Sequence, residues 1–219
     1  MIVSRMYQAE MRGKLPGYLK KSEDILTSNV FSFFKYANRE VFLYPYLNSL
    51  GITVSQHEAK TAQFDFWPTY EDHTEPDVVL IVGDVYILIE AKYTSSFGQA
   101  NKDHQAQLIR EYKGGKLEAE KLDKRFVLMA ITAHPFYAQA IFLGAPDWLV
   151  DQILWTNWQG VTRFLEKALE DDRKIVTENY TFAEDLKNLL IEKRLRTYIG
   201  KSTFEFIAIL DQKPTEVCF

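Results

Sequence analysis

Three polar side chains stand at the ends of an otherwise apolar stretch: Asp77, Glu90 and Lys92. Between the two acids lie two apolar runs, 78–82 and 85–89, joined by Gly83-Asp84. Gly followed by Asp is a two-residue hairpin turn, and the turn fixes the pairing. Val82 then faces Val85, Ile81 faces Tyr86, and one step past the runs Asp77 faces Glu90. Carboxylates so paired have Cβ atoms roughly 4.5–5.5 Å apart, and like charges there destabilise a sheet by up to ~1 kcal/mol. A divalent cation offsets that repulsion, since Mg²⁺ and Mn²⁺ prefer carboxylate oxygens. Lys92 lies two residues beyond Glu90, so alternation puts both on one face. A lysine there can orient an attacking water, deprotonate it as the neutral amine, or hold a phosphate as the ammonium. The competing reading makes the acids solvated strand ends and Lys92 a salt-bridge partner. The joint placement of three titratable groups favours a site.

Stepping outward along the chain, Ser22 is a plausible N-cap, and Ile25, Leu26, Val30, Phe33 and Phe34 follow a helical rhythm. A second helix is expected over 41–50, ending at Gly51, and a strand over 64–67, stopped by Pro68. Residues 69–75 read as a polar loop, 76–82 and 85–92 as the hairpin strands. A helix is expected over 99–122, interrupted at Gly114-Gly115, then a strand over 125–132. A further strand is expected over 152–155, a helix from Thr156 or Asn157 to about Leu169, and a late helix over 182–196. Both hairpin strands are apolar on both faces, which places them inside a covered sheet. The fold class is therefore α/β, with an α+β-like mixed sheet flanked by helices.

A chain of 219 residues forms one sizeable domain. With 47% hydrophobic and 26% charged residues it has the balance of an ordinary globular protein. Cys218 is the only cysteine, which excludes an intrachain disulfide and a cysteine-rich zinc site and fits a reducing, cytoplasmic setting. No apolar run approaches the roughly 20 residues of a membrane-spanning helix, and Arg5, Glu10, Arg12 and Lys14 argue against a signal peptide. A net charge of −4 argues against a pure nucleic-acid binder. It leaves room for an enzyme that meets phosphate through a local basic face. His57, His104 and His134 lack metal-ligand spacing, and no glycine-rich phosphate loop occurs. Glu71, Asp72, His73 and Glu75 read as a solvated acidic loop. Basic residues gather at Lys14, Lys20 and Lys21, from Arg110 to Arg125, and at Lys193, Arg194 and Arg196. Only the first group, close to Glu23, carries weight as a phosphate-tracking surface.

Pro76-Asp77, a hairpin, and Glu90-Ala91-Lys92 together resemble the signature of the PD-(D/E)XK nuclease superfamily. The shared core of that superfamily runs α-β-β-β-α-β. The stretch from Ser22 to Phe31 resembles its first core helix, where an acid often completes the metal site, and Glu23 is the matching position. Its spacing to Leu26, Val30 and Phe34 sets Glu23 on the apolar stripe. A first-turn acid also complements the helix dipole, which is the better reading of Asp24. Residues 107–112 resemble the second core helix, whose glutamine contacts the site or the scissile strand. Gln107 is that residue, with Gln105 an alternative and an exposed polar face the bland reading. Tyr112 follows Gln107 by five residues where the helicase-associated members have four. Residues 153–158 resemble the strand and helix start after the core, with Trp155 and Trp158 as packing residues.

The resemblance implies a restriction-endonuclease-like αβββαβ core with helices on both faces, over about 22–158 of a single domain. A C-terminal helical extension occupies about 159–219. It implies hydrolysis of phosphodiester bonds with Mg²⁺, for which Mn²⁺ can substitute. Asp77, Glu90 and Glu23 would be metal ligands, and Lys92 and Gln107 further catalytic residues. The expected partner is nucleic acid, DNA foremost, in host defence, restriction or DNA processing, with a homodimer or partner protein assisting and no membrane. The alternatives are an idle nucleic-acid-binding or assembly protein on the same fold, and an RNA-directed nuclease.

Overall fold

Alternation along one strand organises the molecule. The structure, a computed structural model, describes residues 22–97, 107–170 and 176–196. Among the described residues five strands form one sheet in the order β1 (Gln63–Phe66), β2 (Val78–Val82), β3 (Val85–Lys92), β4 (Arg125–Thr132) and β5 (Ile153–Asn157). β1, β2 and β3 are antiparallel neighbours, and β3, β4 and β5 run parallel. All eight residues of β3 are buried. Val85, Ile87, Ile89 and Ala91 face one apolar cluster, and Tyr86 and Leu88 face the other.

Seven α-helices occur among the described residues: α1 (Glu23–Tyr36), α2 (Leu43–Ser49), α3 (Gln56–Thr61), α4 (Gln107–Lys121), α5 (Asp147–Val150), α6 (Trp158–Glu170) and α7 (Thr177–Glu192). Ser22 caps α1, its hydroxyl accepting from the Ile25 amide at 3.4 Å. Leu26, Val30 and Phe34 of α1, Leu165 of α6 and Leu186 and Leu190 of α7 fill the larger cluster. α6 and α7, in the expected C-terminal extension, thus belong to the same core as α1 and β3, and 197–219 of that extension lies outside the described residues. α4 covers the opposite face through Leu108 and Ala119, beside Leu149 of α5. None of the described helices is long and apolar enough to cross a membrane.

The hairpin register is the one the turn dictates, from Val82↔Val85 out to Val78↔Ile89. Gly83 takes φ +56°, a conformation glycine adopts without steric cost. β3 and β4 have the expected bounds, whereas β5 is longer, reaching Asn157, and α6 begins at Trp158. α7 begins at Thr177, five residues ahead of expectation, and ends at Glu192.

α4 corrects the expectation of a break at Gly114-Gly115, because it runs unbroken through both glycines. A Cβ on Gly115 would stand 2.5 Å from Leu88 Cδ1 and 2.7 Å from Phe126 Cε2, and one on Gly114 2.8 Å from Tyr70 Cδ2. The glycines let the helix backbone lie close on β3 and β4, and that packing outweighs the roughly 1 kcal/mol each costs a helix. The first part of that expected helix, 99–106 with His104 and Gln105, lies outside the described residues. So do Lys14, Lys20, Lys21 and Cys218.

Candidate active site

The site forms at the end of the sheet where β3 finishes, on the face covered by α4. One register step beyond Val78↔Ile89 brings Asp77 opposite Glu90. A two-residue turn makes that pair a non-hydrogen-bonded one, the closer of the two spacings. The next amide of β3 toward β2 belongs to Ala91, opposite Pro76. Asp77 takes it with its own side chain, Oδ2 accepting from the Ala91 N–H at 2.8 Å. The Asp77 carboxylate thereby ends the ladder and is fixed against β3.

Glu90 is 1% exposed. Its Oε1 accepts from Lys92 Nζ at 2.7 Å and from Gln107 Nε2. Its Oε2 is buried without an N–H or hydroxyl donor, and the Glu90 and Glu111 carboxyls lie close enough to share a proton. Lys92 Nζ also donates to Glu23 Oε1 at 3.3 Å, across from the start of α1. Both oxygens of Glu23 are engaged, since Oε2 accepts from the Tyr93 amide at 2.6 Å and from Ser95 Oγ at 2.7 Å. Glu23 therefore reaches the site as a partner of Lys92 and a clamp on the chain leaving β3. The Trp158 indole N–H donates to the Lys92 carbonyl at 3.0 Å, holding the end of the strand from the other face.

Gln107, at the start of α4, arrives with a companion the sequence reading missed. Its Nε2 donates both to Glu90 and to Glu111 Oε1, the latter at 2.8 Å. Glu111 is itself 1% exposed, with Oε2 likewise buried without an N–H or hydroxyl donor. Residues four apart share a helix face, so a search four residues past Gln107 would have found it. Tyr112, one residue further, turns elsewhere: its hydroxyl donates to Gln152 Oε1 at 2.5 Å, and its ring packs edge-on to Phe126 and Trp148.

Burial is the first cause of the perturbed acids. It raises the Asp77 carboxyl to about 7, with the Glu90 charge adding and the Ala91 N–H and Lys92 opposing. Burial likewise pushes Glu90 up, helped by the nearby Glu111 charge and opposed by Lys92. Glu111 is raised by its own burial, against the Gln107 amide. Burial alone would lower Lys92, but the Glu90 and Glu23 carboxylates outweigh it and hold the amine above its ordinary range. Lys92 is therefore a fixed cation, and the carboxylates are the groups able to exchange a proton near neutrality.

The donor set suits a hard divalent cation: facing carboxylates, with two buried carboxylate oxygens that no N–H or hydroxyl reaches and that only a proton shared between Glu90 and Glu111 would otherwise satisfy. As they stand, however, no three His, Cys, Asp or Glu side chains among the described residues already converge as a cation cage. The Lys92 ammonium and the Gln107 amide occupy the positions that balance Glu90.

The other candidates fall away from this centre. Glu71, Asp72, His73 and Glu75 are exposed, and Glu71 pairs with Lys121 at 3.1 Å. Lys124 Nζ donates to the Gly83 carbonyl at 2.8 Å, bracing the hairpin turn at the far end of the sheet. Trp158 is fully buried, and Trp155 packs against the α4-side cluster, its indole N–H donating to Thr132 Oγ1 at 3.1 Å. Comparisons with protein-family models, with curated proteins and with solved structures returned no match.

Proposed function

We propose that this chain is a metal-dependent nuclease of the PD-(D/E)XK type, on a restriction-endonuclease-like arrangement of α1, β1, β2, β3, α4 and β4. Its reaction is hydrolysis of phosphodiester bonds, those of DNA foremost. The observation that carries this reading is the Asp77–Glu90 pair beside a buried Lys92, with the Glu90 Oε2 oxygen buried without an N–H or hydroxyl donor. Mg²⁺ or Mn²⁺ bound by Asp77 and Glu90 would supply positive charge to the phosphate and lower the pKa of the attacking water. Lys92, kept charged by Glu90 and Glu23, holds a non-bridging phosphate oxygen and meets the charge that grows there. A cation there would hold Asp77 and Glu90 ionised, against the burial that raises both carboxyls in its absence. Glu23 sets the position of Lys92 and of residues 93–95, and Gln107 sets that of Glu90.

The test is cleavage of plasmid and of single-stranded DNA, and of RNA alongside, with Mg²⁺ or Mn²⁺. Wild type is compared with Asp77→Ala and Lys92→Ala. Loss in both variants supports the assignment, and equal activity in all three sinks it. A second reading, an idle nucleic-acid-binding or assembly protein, draws on the lack of a ready-made three-ligand cage among the described residues. It requires nucleic-acid binding by wild type without cleavage under any of these conditions.

A further inference from the structure

The row of side chains that contains Asp77 and Glu90 continues across the sheet. Glu90 pairs with Ala130 of β4, and Ala130 with Trp155 of β5. All share the face covered by α4. Neighbouring strands are about 4.8 Å apart, so Trp155 stands two strands from Glu90, with only the small Ala130 between. The Tyr137 ring lies edge-on to Trp155 at 5.5 Å. A second path reaches the same place: Lys92 Nζ is 5.6 Å from the Phe97 ring centre, Phe97 stacks on Phe142 at 5.4 Å, and Phe142 is 6.3 Å from Tyr137.

Tyr137 and Phe142 belong to the connection from β4 to β5, which leaves the sheet at Thr132, the ladder partner of Lys92. Phe136 is 66% exposed and Tyr137 52%, two consecutive large rings turned to solvent. Their backbone is nevertheless tied down. Asn157 Nδ2 donates to the carbonyls of His134 and Pro135 at 3.1 and 3.2 Å, and Gln159 Nε2 to that of Ala133 at 2.9 Å. Exposed rings on a braced loop form a contact surface whose ordering cost is already met on folding.

We propose that Phe136 and Tyr137 are a stacking platform for unpaired bases, and that the substrate is single-stranded nucleic acid whose phosphate sits at Lys92. This rests on the nuclease reading for the place of the phosphate. Continuity with that site identifies the occupant. The loop leaves the sheet beside Lys92, so a strand that puts one phosphate at Lys92 carries its neighbouring bases along the rim of β4 and β5 toward the two exposed rings, while the buried Phe97 and Phe142 only support that loop from beneath. Every base has a flat face, so such stacking needs no particular sequence. Paired bases inside a duplex present their edges and backbone, and cannot lie on these rings without being flipped out.

The experiment measures binding with hydrolysis silenced by chelator, using fluorescence anisotropy of labelled oligothymidylate and of a blunt duplex. Phe136→Ala and Tyr137→Ala are expected to weaken oligothymidylate binding about tenfold each, and to leave duplex binding unchanged. Phe136→Trp and Tyr137→Phe should retain wild-type affinity, which a loss through misfolding would not. Unchanged oligothymidylate affinity in the alanine variants overturns the platform. So does an equal loss for duplex, or a change in sedimentation showing that the rings join two copies of the chain. Ring-dependent oligothymidylate binding without any cleavage leaves the platform standing and removes the nuclease reading. Cleavage with ring-independent binding does the reverse.

Discussion

Without a cation, the site makes stability fall as pH rises, and Asp77 allows the size of that fall to be worked out. Its carboxyl moves from 3.8 to about 7 on folding, chiefly through burial. The folded state therefore holds this proton more tightly than the unfolded chain does. The resulting stabilisation is complete below about pH 4 and disappears as pH climbs through about 7. At 1.36 kcal/mol per pKa unit, the loss from pH 5 to pH 8 is about 2–3 kcal/mol from this residue, against a typical total stability of about 5–15 kcal/mol. Asp77→Asn isolates the effect, because an asparagine carbonyl can still accept from the Ala91 N–H while carrying no charge. Urea unfolding in chelator at pH 5 and pH 8 should show the variant gaining on wild type by about 2–3 kcal/mol over that interval. At pH 8, Mg²⁺ should raise the melting temperature of wild type more than that of the variant. A gap that stays constant from pH 5 to pH 8 would refute the argument that Asp77 is buried against a like charge.

Glu111→Ala removes the acceptor that holds the Gln107 amide against Glu90. Titration calorimetry with Mn²⁺ and the cleavage assay should both show a loss of about 10- to 100-fold, the usual effect of removing a group that orients a ligand. Trp158→Phe leaves the Lys92 carbonyl without its indole donor, and urea denaturation should show a cost of about 1–3 kcal/mol. Gly115→Ala drives a methyl into Leu88 and Phe126. The same denaturation should register about 1–3 kcal/mol of overpacking, whereas a stabilised variant would mean that α4 does not lie this close to the sheet.

What could be read from the sequence divides by the range of the interaction that sets it. The facing of Asp77 and Glu90 follows from a two-residue turn and period-two alternation, both local, and the observed register repeats it pair by pair. Lys92 follows from the same alternation. Glu111 depends on how α4 docks, which is decided by contacts between Gly115, Leu88 and Phe126 across different elements. Its only sequence trace is a spacing of four from Gln107. The glycine pair misled for a related reason. Glycine in a helical pattern signals either a break or a close approach, and only the partner surface distinguishes them. Glu23 lay between these cases, since its place on the apolar stripe was visible but its grip on the Tyr93 amide and Ser95 was not.

The energetics of the centre separate an enzyme from an idle scaffold. Glu90 and Glu111 are each 1% exposed and each keep an oxygen without an N–H or hydroxyl donor. An apolar pair of similar volume, or a glutamine with its partners satisfied, would serve packing as well and often better. On a scaffold with no reaction to run, Glu111→Gln, which leaves the Lys92–Glu90 ion pair in place, should raise stability at neutral pH with no functional loss. On a nuclease the same substitution should still stabilise the metal-free protein, while Mn²⁺ affinity and cleavage fall together. Measuring both quantities on this variant distinguishes these outcomes. Stabilisation without any change in Mn²⁺ affinity would assign the buried Glu111 to the scaffold.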